Sequence, residues 1–568
     1  MKASLKSWQE KFNNGQIDRI LIDLYGRENL ADWKRNYRKA IDVFIEGYGE
    51  HGEIVIARCP SQMNLMGMHI DYGGMPSVRL AVQGSETITV ARESLDGKIR
   101  MINHLECDGY DPGQFKQIEF NLKDFVSNER INTRQLLMDY AGEICERRLQ
   151  EKGSSQDNDW SVLVQGQLTY LESYFRSRGS FSGLDASVWS NVSPSGGMSS
   201  SSALVISTAI ATMGVNDIDP REDMDQADLV DGIGTSEWIR GTRGGTADHG
   251  GMLLGESGKL VGVGVYPANV TGIADLPVEY VAFVIDSGVP RIYEDVVKEE
   301  TVIAYPIGTF FAREVFFSQI EAKNEGIVLN DGWYERINLI RDLSENNLGV
   351  DIGTVYRFLC NLPAKTNLKK LRKWASEYGK ELLFDEMYSR DIEGKFGFID
   401  QETPIYLRRR VAFGLAEQDR VRFMLEYMKD GSMDKVFDLM RISHVGDFDR
   451  EVTIEDLEMR ISLTRESKEE GRLCYLPGGY GRMTEDYDRV VRSVNDYLVE
   501  TGGTFAGAVQ RLGAGWGGNL GGLIHRDYVE GDQMDGFSEK LSHIIGKKVS
   551  LRDNVAYPGQ GADLLKFD

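Results

Sequence analysis

Four stretches of this sequence combine small, polar and charged residues in spacings that suit chemistry on phosphates and hydroxyl groups. The first is P-S-G-G-M-S-S-S-S-A-L at residues 194–204, which opens the apolar helical pattern of residues 203–215. Glycines allow close backbone approach to a ligand, and N–H groups at a helix N-terminus attract anions. The run therefore predicts a phosphate cradle, with a serine-rich helix cap as the alternative. It lacks the G-K-[S/T] of a Walker A loop.

Two further glycine-rich stretches are candidates for a ligand site. Residues 241–251 (G-T-R-G-G-T-A-D-H-G-G) place Asp248 beside His249 amid glycines, with Glu237 upstream. Asp248 is a candidate carboxylate for catalysis, although an aspartate in this setting, taken alone, is more typical of a turn than of a catalyst. Residues 511–519 (R-L-G-A-G-W-G-G-N) lie between two apolar runs, where a tight turn with close backbone packing is the alternative to ligand binding.

The fourth stretch, C-P-S-Q-M-N-L-M-G-M-H-I-D-Y-G-G at residues 59–74, gathers polar side chains after a predicted strand. His69, Asp71 and Tyr72 lie on a segment bounded by glycines. Polar side chains on such a loop suit the recognition of hydroxyl groups. A histidine that only supports the loop through hydrogen bonds is the alternative.

Strands and helices must hold these loops in place. Residues 53–59 predict a buried strand, followed by a loop to residue 74, and apolar runs interleaved with amphipathic ones continue to the end of the chain. Further strands are predicted at residues 78–83, 86–93, 185–192, 252–257, 259–267 and 505–512, and residues 279–289 predict a strand and a turn. The main predicted helices lie within residues 5–48, 309–345, 352–442 and 486–501. This interleaving predicts an α+β fold.

The composition excludes several functional classes. The 568 residues carry 65 Lys and Arg against 88 Asp and Glu, a net charge of −23. A binder of nucleic acid or anionic membranes needs a basic surface, so neither partner is expected. The five cysteines form no C-x-x-C pair, which argues against a disulfide framework and a zinc site. With no signal-peptide pattern at the start and no apolar run of about 20 residues, we expect a cytoplasmic protein.

Taken together and in their order along the chain, the four stretches resemble the GHMP kinase superfamily, and within it the galactokinase-like sugar kinases. Residues 59–74 resemble the family's A-P-G-R-V-N-L-I-G-E-H-T-D-Y-x-G-G, and residues 194–204 resemble P-x-G-A-G-L-S-S-S-A-A-L with one residue fewer. G-T-A-D-H at residues 245–249 resembles G-I-M-D-Q. L-G-A-G-W-G-G at residues 512–518 resembles T-G-G-G-F-G-G.

The resemblance implies the two-domain GHMP kinase fold, with the active site in the cleft between the domains. It implies a helical extension at residues 1–50, an ATP-binding domain at residues 51–285, and a C-terminal domain at residues 286–568. Insertions are expected near residues 105–160 and 300–400. It also implies ATP as co-substrate, magnesium as cofactor and a small sugar as acceptor, in a monomer or weak homodimer.

Site residues follow from motif position. Asp248 matches the catalytic aspartate that faces the attacking sugar hydroxyl, and Glu237 and Ser201 are the expected magnesium ligands. The expected phosphate-binding residues are Gly196, Gly197, Ser199, Ser200, Ser201 and Ser202. The expected substrate-binding residues are Gln62, Met68, His69, Asp71, Tyr72, Gly515 and Gly517.

Two departures from the family motif sharpen the expected function. The family's arginine beside the catalytic aspartate falls on Gln62, so Arg58 or Arg243 is expected to supply the missing charge. The sugar-binding glutamate falls on Met68, which predicts a uronate, deoxy sugar, pentose or heptose in place of galactose. We therefore expect a sugar 1-kinase; the alternative is a catalytically silent sensor of sugar or ATP on the same fold.

Overall fold

The computed structural model describes the chain as two units. The first unit comprises Met1–Asn64, Arg79–Leu276 and Ala556–Asp568, and the second comprises Leu65–Val78 and Pro277–Val555. The residues described are 2–107, 109–125, 130–131, 133–152, 160–194, 197–241, 244–291, 295–323, 326–481, 483–513 and 517–567.

Strands and helices alternate along the chain, as expected for the α+β class. The strands are β1 (Ala3–Ser4), β2 (Glu53–Met66), β3 (Ser77–Ser94), β4 (Lys98–Leu105), β5 (Ile118–Asn121), β6 (Gly183–Ser190), β7 (Lys259–Gly264), β8 (Asn269–Asp275), β9 (Tyr280–Asp286), β10 (Gly507–Arg511), β11 (Asn519–His525), β12 (Val555–Ala556) and β13 (Asp563–Leu564). The helices are α1 (Leu5–Asn14), α2 (Asp18–Tyr25), α3 (Leu30–Tyr48), α4 (Arg134–Lys152), α5 (Ser161–Tyr174), α6 (Ser200–Val215), α7 (Gln226–Ser236), α8 (Ala247–Leu253), α9 (Asp295–Phe310), α10 (Ser318–Lys323), α11 (Trp333–Arg336), α12 (Glu345–Leu348), α13 (Ile352–Asn361), α14 (Leu368–Glu377), α15 (Glu381–Asp391), α16 (Leu407–Lys429), α17 (Met433–Val445), α18 (Ile454–Glu466), α19 (Glu485–Gly502), α20 (Asp527–Glu530) and α21 (Met534–Ile545).

The first unit is built on a mixed sheet. Among the described residues it has nine strands, with the order β1-β2-β3-β6-β4-β5, while β13 also pairs with β2, β7 with β3, and β8 with β7. The β3–β6 pair is antiparallel and the β4–β6 pair is parallel. This sheet carries β2, which includes the start of the candidate stretch at residues 59–74, and β3, which follows that stretch.

The alternation of side chains along β2 explains how both faces of this sheet are covered. Ile54 and Ile56 join the apolar cluster formed with helices α1–α3, whereas Val55 and Ala57 join the cluster formed with α5 and α6. Successive side chains of a strand point to opposite faces, so one apolar run serves two layers of helices. Helix α6 is apolar on all sides and buried from Ser202 onwards, as a central helix requires.

The second unit combines a smaller sheet with most of the helices. Its sheet has the order β10-β11-β9-β12, and β9, β10 and β11 pair antiparallel. Helices α9, α16 and α19 contribute the core residues Tyr305, Phe413 and Val494 to one apolar cluster. In the described part of the chain, every helix is too short or too polar to span a lipid bilayer.

Two local predictions are wrong. The apolar run at residues 252–257 was expected to form a strand, but Met252 and Leu253 complete helix α8, because a short buried apolar run has no periodicity that separates helix from strand. The loop expected after Cys59 is instead a continuation of β2 to Met66, with every residue of that extension buried.

The division into units also differs from the predicted boundaries. Helices α1–α3 belong to the first unit, since their aromatic side chains pack on its sheet. The first unit ends at Leu276 and resumes at Ala556, because β13 adds to the edge of β2 through the Leu564–Ala57 pair. The predicted C-terminal domain of residues 286–568 therefore includes a segment that folds with the first unit.

Candidate active site

Four polar side chains of the first unit form a closed ring of hydrogen bonds. Arg79 Nη1 donates to Gln62 Oε1 at 2.8 Å and to Asp248 Oδ1. Gln62 Nε2 donates to Ser199 Oγ at 3.1 Å, and the Ser199 hydroxyl donates to Asp248 Oδ2. The ring brings together three residues that the sequence predicted, and adds Arg79, which it did not.

Each member of the ring is placed by a different element. Gln62 lies on β2, Arg79 on β3, Ser199 immediately before α6 and Asp248 in the first turn of α8. The Arg79 side chain is buried, and a methyl group at Gly251 would lie 2.9 Å from its Cδ atom. A glycine is therefore required at position 251 for the guanidinium to reach Asp248 undisturbed.

Ser199 has an unusual backbone for a residue with a side chain. Its φ of 58° and ψ of 52° lie in the left-handed region, which costs a non-glycine residue about 1–2 kcal/mol. Its hydroxyl does not cap α6. The hydroxyl faces Asp248 instead, which leaves the first-turn N–H groups of α6 without a cap from Ser199, in the geometry that suits an anion.

The electrostatics of the ring keep Asp248 ionised. Burial raises the pKa of the Asp248 carboxyl, but the Arg79 guanidinium and the Ser199 hydroxyl outweigh that effect and hold the pKa below its ordinary value. The side chain of Asp248 is 37% exposed, so a ligand has access to it. A carboxylate of this kind orients a hydroxyl group and accepts its proton as the oxygen becomes bonded elsewhere.

Glu237 lies beside this ring through its partner His249. The His249 Nε2 atom donates to Glu237 Oε1 at 2.9 Å, and His249 directly follows Asp248 in α8. A methyl group at Gly234 would lie 3.0 Å from His249 Nδ1, so that glycine permits α7 to approach α8 closely. The pairing orients the carboxylate of Glu237, one of the two residues expected to bind magnesium.

The expected phosphate-binding residues lie at the start of α6. Gly197 has a φ of 76°, a conformation that favours glycine, and Ser200, Ser201 and Ser202 form the first turn. Ser202 is buried. Gly196 lies outside the described residues.

The expectation that Arg58 supplies the charge beside Asp248 needs correction. Arg58 donates through Nη2 to Glu86 Oε1 at 2.7 Å and through Nη1 to the Gly561 carbonyl at 2.8 Å. Both side chains of this ion pair are closed to solvent, at 4% and 0% exposure. Arg58 is thus a structural partner of Glu86, and among the described residues the cation paired with Asp248 is Arg79. The other candidate, Arg243, lies outside the described residues.

The expected sugar-contacting residues His69, Asp71 and Tyr72 belong to the second unit. His69 has a φ of 63°, and its imidazole stacks on the Tyr480 ring with centroids 3.8 Å apart and planes 5° from parallel. Its Nε2 atom is buried and has no hydrogen-bond partner among the described residues. Burial lowers the pKa of His69 well below its ordinary value, and Arg511 lowers it further. His69 is therefore a neutral imidazole with an unused polar atom.

Asp71 and Met68 are buried near His69 in the chain, and Lys298 lies 5.8 Å from the centre of the Tyr72 ring. Tyr480 is held between two buried ion pairs, since Arg410 and Arg511 both lie within 6.0 Å of its ring. These arginines pair with Glu300 and Asp447, respectively. Sequence reasoning did not single out Tyr480, which lies far from any of the four motifs.

The last glycine stretch packs closely against a neighbouring segment of the second unit. A methyl group at Gly517 would lie 2.2 Å from the Pro290 carbonyl oxygen, and Gly518 N donates to Val289 O at 2.8 Å. Close backbone packing therefore accounts for Gly517. Gly515 lies outside the described residues.

Arg79 had one signal in the sequence. It is a lone charge in the run V-R-L-A-V-Q of a strand that is otherwise apolar at its start. A buried strand excludes an unpaired charge, so an arginine there requires a carboxylate partner. The sequence does not say which of many carboxylates that partner is.

Comparison with known proteins finds a family whose sequence model includes two members of the ring. Residues 163–256, which include Ser199, Glu237 and Asp248, match the family of GHMP kinases N terminal domain. A galactokinase from Candida albicans is 24% identical over 255 residues, covering 44% of this chain and 43% of that protein. An L-arabinokinase from Arabidopsis thaliana is 29% identical over 248 residues, covering 42% of this chain and 23% of that protein. The chain thus spans less than half the length of these two relatives.

The whole chain also has a structural counterpart. The crystal structure of Lactococcus lactis galactokinase complexed with galactose matches with a TM-score of 0.54 at 15% identity, covering 92% of this chain and 98% of that one. At this level of identity the likeness establishes the fold. Residues 163–256 therefore match the GHMP kinase N-terminal domain, and the chain adopts the fold of galactokinase.

Proposed function

We propose that this chain is an ATP-dependent sugar kinase that phosphorylates a monosaccharide at its anomeric hydroxyl. One observation carries the proposal: Asp248, which lies with Ser199 inside the region that matches the GHMP kinase domain, is ionised and hydrogen-bonded to both Ser199, at the start of α6, and Arg79. The galactokinase and L-arabinokinase relatives support a sugar as the acceptor.

In the proposed reaction Asp248 acts on the sugar hydroxyl. The hydroxyl oxygen attacks the γ-phosphorus of ATP, the bond from that phosphorus to the β,γ-bridging oxygen breaks, and ADP leaves with the electron pair. The hydroxyl proton passes to the Asp248 carboxylate. Phosphoryl transfer depends mainly on positioning and charge stabilisation, so a weak base suffices if it is well placed.

The phosphates of ATP are assigned to the start of α6. Gly197 and Ser199 to Ser202 would offer backbone N–H groups and hydroxyls, and the helix dipole favours negative charge there. Within the described residues, no three His, Cys, Asp or Glu side chains gather as a metal site. Mg²⁺ in such enzymes typically takes one or two carboxylates and otherwise phosphate and water oxygens, so the Glu237 carboxylate and the Ser201 hydroxyl fit it. When bound, Mg²⁺ neutralises charge on the phosphates.

The sugar is proposed to be other than galactose. Met68 is a buried thioether where the family motif has a carboxylate, so it offers a hydroxyl group only a weak acceptor at that position. A uronate, deoxy sugar, pentose or heptose differs from galactose in its hydroxymethyl end. The roles assigned to His69, Asp71 and Tyr72 as sugar contacts stay predictions.

ADP release across a panel of sugars and uronates tests this function, with thermal unfolding of the same samples as a second readout. We expect release with one member of the panel and ligand-dependent stabilisation by that sugar. Stabilisation by a sugar or by ATP without ADP release from any sugar would instead establish the alternative function, a silent sensor. Release with galactose alone would overturn the proposed substrate class.

A further inference from the structure

We propose that Arg79 is the catalytic cation of this kinase, which contacts the transferring phosphoryl group, and that Gln62 is neutral because it positions Arg79. This inference rests on the proposed function and names a residue that neither the sequence motifs nor the matched domain region contains. The domain match begins at residue 163, whereas Arg79 and Gln62 come from β3 and β2.

The exposure of the Arg79–Asp248 pair sets it apart from a structural ion pair. The Arg79 side chain is 4% exposed, whereas that of Asp248 is 37% exposed. In the Arg58–Glu86 pair of the same unit, both partners are closed to solvent. The Arg79–Asp248 pair is thus open to a ligand on one side, as a reaction site requires.

Gln62 has a specific reason to be neutral. Its Oε1 atom accepts from Arg79 Nη1 at 2.8 Å, so an arginine at position 62 would bring two guanidinium groups into contact. Like charges at such a distance repel strongly in a buried site. Gln62 also joins Arg79 to Ser199, and therefore fixes the guanidinium relative to the start of α6. An arginine at position 62 and an arginine at position 79 are thus two alternative ways to place one cation beside the Asp248 carboxylate.

The local charge supports a role on a phosphoryl group. The ring holds one cation and one carboxylate, and the chain as a whole carries a charge of −23. Phosphate binding in so acidic a protein needs a fixed positive group at the site, and a planar guanidinium suits phosphate oxygens. Ser199 N and the N–H groups of α6 supply dipoles, whereas Arg79 supplies the formal charge.

The test exchanges the arginine between the two positions. Arg79→Gln should lower kcat by about 10²–10³-fold, and Gln62→Arg alone should also lower kcat because it crowds Arg79. The double variant Gln62→Arg/Arg79→Gln should recover at least tenfold in kcat over Arg79→Gln. Arg92→Gln, which removes an arginine from the same strand and breaks its pair with Asp185, serves as the matched control and should keep kcat within about threefold.

A pH profile separates a catalytic role from a structural one. Because Arg79 holds Asp248 ionised, Arg79→Gln should move the acid limb of kcat/KM to higher pH, and Arg79→Lys should restore most of the shift. An Arg79→Gln enzyme that keeps kcat within threefold and an unmoved acid limb would overturn the inference. A double variant no more active than Arg79→Gln would overturn the equivalence of the two positions.

A binding measurement keeps this inference separate from the proposed function. If the wild-type chain releases ADP with no sugar, the proposed function fails, yet affinity for a non-hydrolysable ATP analogue relative to ADP still reports a contact with the terminal phosphate. Arg79→Gln should weaken binding of the analogue at least tenfold more than binding of ADP. Equal weakening of both nucleotides, or of neither, would overturn the contact.

Discussion

The Ser199 hydroxyl donates to the Asp248 carboxylate from a backbone held in the left-handed region. A helix that begins at a serine would ordinarily use that hydroxyl as its cap. Here the serine gives up the cap and adopts a strained backbone. Both costs are explained if the hydroxyl orients Asp248 and leaves the start of α6 open to an anion.

Replacing Ser199 separates the effect of its hydroxyl on activity from the effect of its strained backbone on stability. Ser199→Ala and Ser199→Gly both remove the hydrogen bond to Asp248, and each should lower kcat about tenfold or more, since a hydrogen bond to a charged group is worth about 1.5–3 kcal/mol. The glycine variant should be more stable than the alanine variant by about 1 kcal/mol, because glycine tolerates the left-handed backbone. Steady-state kinetics and urea unfolding measure the two effects. Equal stability of the two variants would argue against the strain.

The Arg58–Glu86 pair should behave as a structural contact. Arg58→Met leaves the Glu86 carboxylate buried without its cation and should destabilise the chain by about 3–5 kcal/mol. The double variant Arg58→Met/Glu86→Leu removes both charges and should regain most of that stability, with kcat near that of the wild type. Thermal unfolding and ADP release are the measurements. If the double variant folds but its kcat is a hundredfold lower than that of the wild type, Arg58 contributes to catalysis and the structural role is wrong.

The sequence predicts much of the first unit because its signals are local. The apolar run of residues 53–59 predicts a strand, and the apolar run of residues 203–215 predicts a central helix. The glycine- and serine-rich stretch of residues 194–204 predicts where that helix begins. The Arg79–Asp248 contact could not be predicted, since it joins residues 169 apart in sequence. The stacking of His69 on Tyr480 is likewise set only by tertiary packing. Helix α8 shows the converse limit, because its short apolar run fits either a strand or a helix.

Gly251 should be needed for activity through Arg79. A methyl group at this position would lie 2.9 Å from Arg79 Cδ and 3.2 Å from its Cβ, so Gly251→Ala must displace the side chain. A displacement of about 1 Å at a reacting group costs up to about 10²-fold in rate. Gly244→Ala is the matched control, because a methyl group there would meet no atom within 4 Å. Equal kcat values for the two variants would contradict the placement of Arg79.

His69 should make the stability of the chain depend on pH. In the unfolded chain its imidazole takes up a proton near pH 6.5, whereas burial and the nearby Arg511 lower its pKa well below that value in the folded chain. The unfolded chain therefore binds more protons below pH 6.5, and stability falls as the pH falls. Between pH 7.5 and 5.5 this loss amounts to about 1.4 kcal/mol.

His69→Asn removes this dependence and keeps a residue that tolerates a positive φ. Urea unfolding at pH 7.5 and 5.5 should show that the variant loses about 1.4 kcal/mol less stability than the wild type over this range. The same loss in both proteins would mean that His69 is not held neutral in the folded chain.

Asp248→Asn tests most directly whether the ring of Arg79, Gln62, Ser199 and Asp248 transfers a phosphoryl group. The asparagine keeps the shape of the side chain and removes its charge and its capacity to accept a proton. With the sugar that supports ADP release by the wild type, the variant should release ADP about 10²–10⁴-fold more slowly, while its affinity for ATP stays within a few-fold. An Asp248→Asn variant that releases ADP at the wild-type rate would contradict the assignment.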